Sequence, residues 1–157
     1  MSTFRLVGLP AETFEPFFAM SDAELAALGA RRVVADESPG FPCRVSLADA
    51  EVGDELLLLP FDHLITRSPY RASGPVFVRK GARRAVLAPG EIPPYVERRW
   101  MSVRAYDADD MMIAADVCEG GGVREVIDRL MTDPATAFIH LHNAKRGCFS
   151  CRVERVD

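Results

Sequence analysis

Apolar and polar positions along this 157-residue chain change places in short runs, punctuated by proline and glycine. Only two stretches keep helical spacing. FRLVGL (4–9) predicts an opening strand, and 10–19 reads either as a short helical piece or as an apolar loop lying on the core through Phe14, Phe17 and Phe18. SDAELAALG predicts the first helix. Ser21 is its cap, Glu24 completes a capping box three residues on, Leu25 and Leu28 form its buried stripe, and Gly29 stops it. VREVIDRLMTD predicts the second, with Val123, Val126, Ile127 and Leu130 on one face and Pro134 ending it.

The remaining runs have strand length. RRVVAD leads into the turn ESPGFP. CRVSL alternates Cys43, Val45 and Leu47 against Arg44 and Ser46, and therefore predicts a strand. ELLLLPF is apolar without a break, as a strand covered on both faces is. A long connection, DHLITRSPYRASGP, precedes the strand VFVRK. APGEIPPYVERR is mostly loop with one helical turn. WMSVRAYDADDMMIAADV predicts a hairpin folded at Asp107 to Asp110, and FIHLHNAKRGCFSCRVERV a closing hairpin. The sum is an α+β domain, 1–157, with about eight short strands in a largely antiparallel sheet or sheets and two peripheral helices.

The closing hairpin admits two registers. A four-residue loop puts Asn143 opposite Cys148 and mixes polar with apolar residues on both faces. A three-residue loop with Gly147 as a left-handed bulge puts His142 opposite Ser150 and His140 opposite Arg152. The latter gathers Ile139, Leu141, Phe149, Cys151 and Val153 on one face and His140, His142, Cys148, Ser150 and Arg152 on the other. Because a one-residue slip inverts the faces, the amphipathic register is the one expected for a half-buried sheet.

Composition then narrows the function classes. Length alone allows one domain with a sufficient core. No run reaches the ~18 apolar residues of a membrane helix, and the N-terminus lacks a signal-peptide pattern, so a cytoplasmic protein is expected. The four cysteines there read as free thiols or metal ligands before disulfides. A net charge of −4 argues against general nucleic-acid binding. Positive charge is nearly all arginine, which favours bidentate contacts to carboxylates and phosphates.

Candidate chemistry concentrates at the end of the chain. Cys148 beside His142, with His140 in support and Arg146 and Arg152 near, is the minimal apparatus of an activated thiol. Cys151, three residues on in an extended strand, points the other way and reads as a buried hydrophobe, so the CxxC spacing is not a metal knuckle. His140 and His142 share a face and could offer two metal ligands, with His63 or Asp62 as a third; the pair alone is weak, and no metal or other cofactor is assigned. Tyr70, Arg71 and Ser73 place a phenol, a guanidinium and a hydroxyl in one loop, suited to a carboxylate or phosphate. Arg44 and Arg152 are further candidate anion ligands. DADDM (107–111) lacks the glycine and distant glutamate of a calcium loop, and GGG (120–122) lacks a phosphate-loop pattern.

PGFPCRVSL, LLLLPFDH, SPYRASGPVFVR and HNAKRGC, in that order, resemble a bacterial family known as domain of unknown function 1203. The resemblance implies a small, complete, single-domain bacterial protein and transfers no catalytic role. Two function classes follow from the residues. One is a thiol/histidine enzyme acting on a small anionic metabolite through Cys148, His142 and His140. The other is a non-catalytic ligand-binding or homodimerising domain.

Overall fold

The computed structural model describes residues 3–157. Ten strands form two five-stranded sheets: β1 (Phe4–Val7), β2 (Arg31–Val34), β3 (Pro42–Cys43), β4 (Ala48–Asp49), β5 (Glu55–Leu64), β6 (Ala72–Arg79), β7 (Trp100–Tyr106), β8 (Met112–Glu119), β9 (Phe138–Asn143) and β10 (Phe149–Arg155). The first sheet runs β1-β10-β9-β7-β8 and is antiparallel throughout; the second runs β2-β5-β6-β3-β4, with β3 parallel to β6. The α+β class holds, with ten strands where the pattern suggested about eight. The pattern marks Cys43 of β3 as part of a longer strand, CRVSL, and gives no sign of β4, two residues long and too short for any periodicity to reveal.

Helices α1 (Glu15–Phe18), α2 (Asp22–Ala27), α3 (Pro94–Glu97) and α4 (Val123–Met131) cover the sheets. The capping box at Ser21 forms as expected: its hydroxyl accepts from the Glu24 N–H at 3.2 Å, and the Glu24 carboxylate accepts from the Ser21 N–H at 3.1 Å. Val123, Ile127 and Leu130 of α4 pack on Leu6, Met101, Val103, Ile139, Leu141 and Val153, all on one face of the first sheet. Burial of such side chains contributes on the order of 1.5–3 kcal/mol each.

The opposite face of that sheet is covered as well. Leu57, Leu59, Val76 and Val78 of the second sheet form a further core with Phe149, closed at the side by Phe14 and Leu25. The first sheet is therefore a middle layer, buried on both sides. That overturns the half-buried sheet that the amphipathic register presupposes, because two buried faces impose no simple amphipathic alternation.

The register is a composite. Asn143 N–H donates to Cys148 O at 2.9 Å, so the loop has four residues. His142 pairs with Phe149; a bulge at Ser150 then shifts the ladder so that Leu141 faces Cys151 and His140 faces Arg152. The expected pairing of His142 with Ser150 does not form. Gly147 does take a left-handed φ of 79°, but the extra residue sits at Ser150. Phe149 thereby joins the histidine face, while Cys148 lies on the side of Asn143.

CRVSL is the second correction. Pro42 and Cys43 are extended, but Arg44 to Leu47 form a tight turn ending with Leu47 at φ 52°. The left-handed Leu47 costs about 1–2 kcal/mol. Its side chain, 2% exposed, is buried against Tyr95 and Val96, which offsets that cost. The turn matters because it swings Arg44 inward.

Among the described residues no helix is long and apolar enough to cross a membrane.

Candidate functional site

Arg44 is the largest of the fully buried side chains, 1% exposed, and no carboxylate pairs with it. Its Nε donates to Phe149 O at 2.8 Å and its Nη1 to Pro42 O at 2.6 Å. The remaining nitrogen, Nη2, donates to Cys148 Sγ at 3.1 Å. A buried charge normally finds a counter-charge, since its desolvation is costly. Here two carbonyl dipoles and a sulfur are all the protein supplies.

Arg44 and Cys148 line a cavity of about 500 Å³ between the two sheets' ends. Asn143, across the hairpin, aims Nδ2 at the sulfur (3.7 Å), while its Oδ1 is buried without a partner. Lys145 and Arg146 bring two exposed ammonium and guanidinium groups to the rim. Arg98 and Arg99 also line the cavity and share the single carboxylate of Asp49, whose side chain is 3% exposed, so one positive charge of the trio is left over. Glu37 is the one carboxylate among the lining residues, so the cavity is strongly positive in a chain that is acidic overall. Phe41, Phe77 and half-exposed Trp100 supply its apolar walls.

A separate cluster unites all three histidines of the chain. His63 of β5 lies 6.0 Å from His140 and 5.0 Å from His142, ring centre to ring centre, and stacks on Phe149 at 5.3 Å. His142 Nδ1 donates to Gly147 O at 2.9 Å, which fixes its tautomer and leaves Nε2 bare. Nδ1 of His63 and of His140 are also buried without partners. Burial, reinforced by the positive charge of Arg152, pushes the His140 pKa down to about 2. Burial also lowers His142 to about 4, against the opposing pull of the Gly147 carbonyl. His63 is lowered by burial and by Arg104. Three neutral imidazoles result. Among the described residues, no three histidine, cysteine or carboxylate side chains are placed to hold a metal ion.

The residues singled out in the sequence thus divide into groups. Arg44 and Cys148 meet in the cavity. His140 and His142 meet His63 between the sheets. Cross-strand pairing places His142 with Phe149 and Cys148 with Asn143, on opposite sides of the hairpin, so the thiol and imidazole are not hydrogen-bonded to each other. Tyr70 sits over the histidine face, its ring 6.3 Å from Tyr106, which in turn touches His140 at 5.4 Å. Arg71 is exposed, and Ser73 lines a shallow depression with Gly29, Arg31 and Pro60. Arg152 stacks over Phe138 at 4.1 Å and pairs with Glu154 at 3.3 Å. Cys43 and Cys151 are buried, and burial raises the Cys151 thiol to about 12.

Asn143, Lys145 and Trp100 were not expected at the site. The four-residue loop register contained the first of these, since it sets Asn143 opposite Cys148. The last two depend on how β7 and the hairpin loop meet in space, through the Ala144 N–H to Trp100 O bond at 2.9 Å.

No curated protein and no solved structure matches the chain. The family model described as "Protein of unknown function (DUF1203)" matches residues 40–155, a span that takes in Arg44, the histidine cluster and the whole closing hairpin, and the chain belongs to that family.

Proposed function

We propose that the protein binds a small anionic molecule in the Arg44–Cys148 cavity. The observation that carries this reading is the buried Arg44 guanidinium without a carboxylate partner, opening onto a cavity whose unpaired rim charges are Lys145 and Arg146. An anion entering there supplies the missing counter-charge, and Asn143 and the guanidinium orient it by hydrogen bonds. The apolar walls suit the carbon part of such a ligand.

A binding role is favoured over acid–base catalysis by the histidines. Imidazoles with pKa values near 2 and 4 stay neutral at pH 7 and are poor proton acceptors there, and His142 spends its one ring donor on Gly147. Cys148 supplies a thiol nucleophile at the cavity wall. The reading places the protein in the cytoplasm, where its four free thiols stay reduced.

Trp100 is the single tryptophan and lines the cavity, so its fluorescence reports occupancy directly. Titration with inorganic phosphate, a sugar phosphate and a dicarboxylate should give a saturable change for at least one of them, weakened by salt and by Lys145→Glu with Arg146→Glu. A flat response to all three at low ionic strength would refute the reading.

A further inference from the structure

We propose that Cys148 is a site of reversible thiolation by low-molecular-weight thiols that carry carboxylates, with the anion cavity selecting the incoming disulfide. The inference rests on the anion-binding reading and adds a covalent step to it.

Four observations support it. Cys148 is the only cysteine lining this cavity; Cys43 and Cys151 are buried, and Cys118 lies on β8 with its thiol raised by burial and by Asp116. The sulfur already accepts from the Arg44 guanidinium, which holds it at the cavity wall and faces any anion beside it. The orphaned Oδ1 of Asn143 is a buried acceptor, suited to a ligand amide N–H. Finally, all four cysteines are free; the Ser150 bulge brings Cys151 to the same face of the hairpin as Cys148, but it is buried in the core with its thiol raised to about 12, and the Cys43 sulfur is occupied by the Arg79 N–H at 3.2 Å. A mixed disulfide at Cys148 therefore has no internal thiol ready to displace it.

The chemistry is simple exchange. The Cys148 thiolate attacks one sulfur of the incoming disulfide, its proton having gone to solvent. A new S–S bond forms to Cys148, the original S–S bond breaks, and the other half departs as a thiolate. Cys148 is oxidised, the small disulfide is reduced by one thiol equivalent, and a second small thiol reverses the step. Lys145 and Arg146 raise the local concentration of an anionic disulfide and repel a cationic one.

The test compares adduct formation by intact mass spectrometry for the full chain with glutathione disulfide, which is anionic, and cystamine, which is cationic. The expected result is an adduct mapped to Cys148 and a rate ratio of about tenfold or more favouring the anionic reagent at low salt. That ratio should collapse toward one in 0.5 M salt, at a Debye length of roughly 4 Å. Lys145→Glu with Arg146→Glu, two exposed positions, should reverse the preference without altering the fold. Equal rates for the two reagents, or modification of Cys118 in preference to Cys148, would overturn the inference. Trp100 titration with phosphate on Cys148→Ser separates the two proposals. Retained anion binding alongside equal exchange rates sinks the thiolation step alone; loss of both sinks the cavity reading with it.

Discussion

His142 and Phe149 face each other across the closing hairpin, their rings edge to face at 5.8 Å. The pairing exists because the bulge at Ser150 inserts one residue into β10 and turns Phe149 away from Leu141. Phe149, 2% exposed, then touches Phe61, His63 and His140 and ties the two sheets together. Phe149→Ala should cost about 3–5 kcal/mol, the range for a large buried aromatic, read as a fall in the urea midpoint. A loss below about 1 kcal/mol would mean that the sheets are held chiefly elsewhere.

The neutral histidines make stability depend on acid. Their folded pKa values lie below the unfolded value near 6.5, so the unfolded chain binds more protons as pH falls and is favoured. Stability should be full above pH 6.5 and decline from there toward pH 4, where His142 itself titrates, with His140 continuing the slope below that. Each histidine adds up to about 1.4 kcal/mol per pH unit within its window. The groups that face the cluster are Arg104, Arg152, Arg44 and, beside His63, Asp62. Denaturant midpoints at pH 7, 6 and 5 check the slope, and His140→Phe should flatten it by one proton.

Arg44 supports the fold as well as the cavity. Arg44→Met keeps most of the aliphatic volume but removes the guanidinium donors from the Phe149 and Pro42 carbonyls. At about 1.5–3 kcal/mol for each lost hydrogen bond to a charged group, partly offset because no buried charge remains, a net loss of about 1–3 kcal/mol is expected. The variant should also lose the phosphate-induced change in Trp100 fluorescence. Retained binding with lowered stability would assign Arg44 a structural role alone.

How far the sequence reached depends on which force fixed each element. The helix α4 and the capping box at Ser21 were legible because local spacing and local hydrogen bonds determine them. The β7–β8 hairpin was legible because a polar turn separates two apolar runs. Arg44 is legible as a candidate ligand but its turn is not, because the alternation Cys43, Val45, Leu47 imitates a strand while Arg44 to Leu47 turn. What bends the chain there is nonlocal: Leu9 N–H donates to Arg44 O and Ala85 N–H to Val45 O, both from distant segments. The hairpin register failed for a similar reason. The amphipathic register expects its polar face to meet water, but His63 and Phe61 from the second sheet cover it. Nothing local in HLHNAKRGCFS encodes that cover.

Gly8 is where this nonlocal turn is most exposed to a single change. It follows β1, donates its N–H to Ala85 O at 2.8 Å, and lies so close to the Arg44–Leu47 turn that an added methyl would run into the Val45 carbonyl. Backbone, unlike a side-chain tip, cannot swing aside. Gly8→Ala should therefore push the turn outward, loosen the Leu9 and Ala85 bonds that hold it, and draw the guanidinium back from Cys148. We expect a stability loss of about 1–3 kcal/mol, as for overpacked positions, together with weaker phosphate binding at Trp100. Gly53→Ala is the control, since its added methyl meets nothing within 4 Å although its φ of 93° carries strain. That variant should lose stability through backbone strain while keeping anion binding. If both glycine variants bind phosphate like the parent chain, the turn does not position Arg44 for the ligand, and the guanidinium reaches the cavity by some support other than the Gly8 contact.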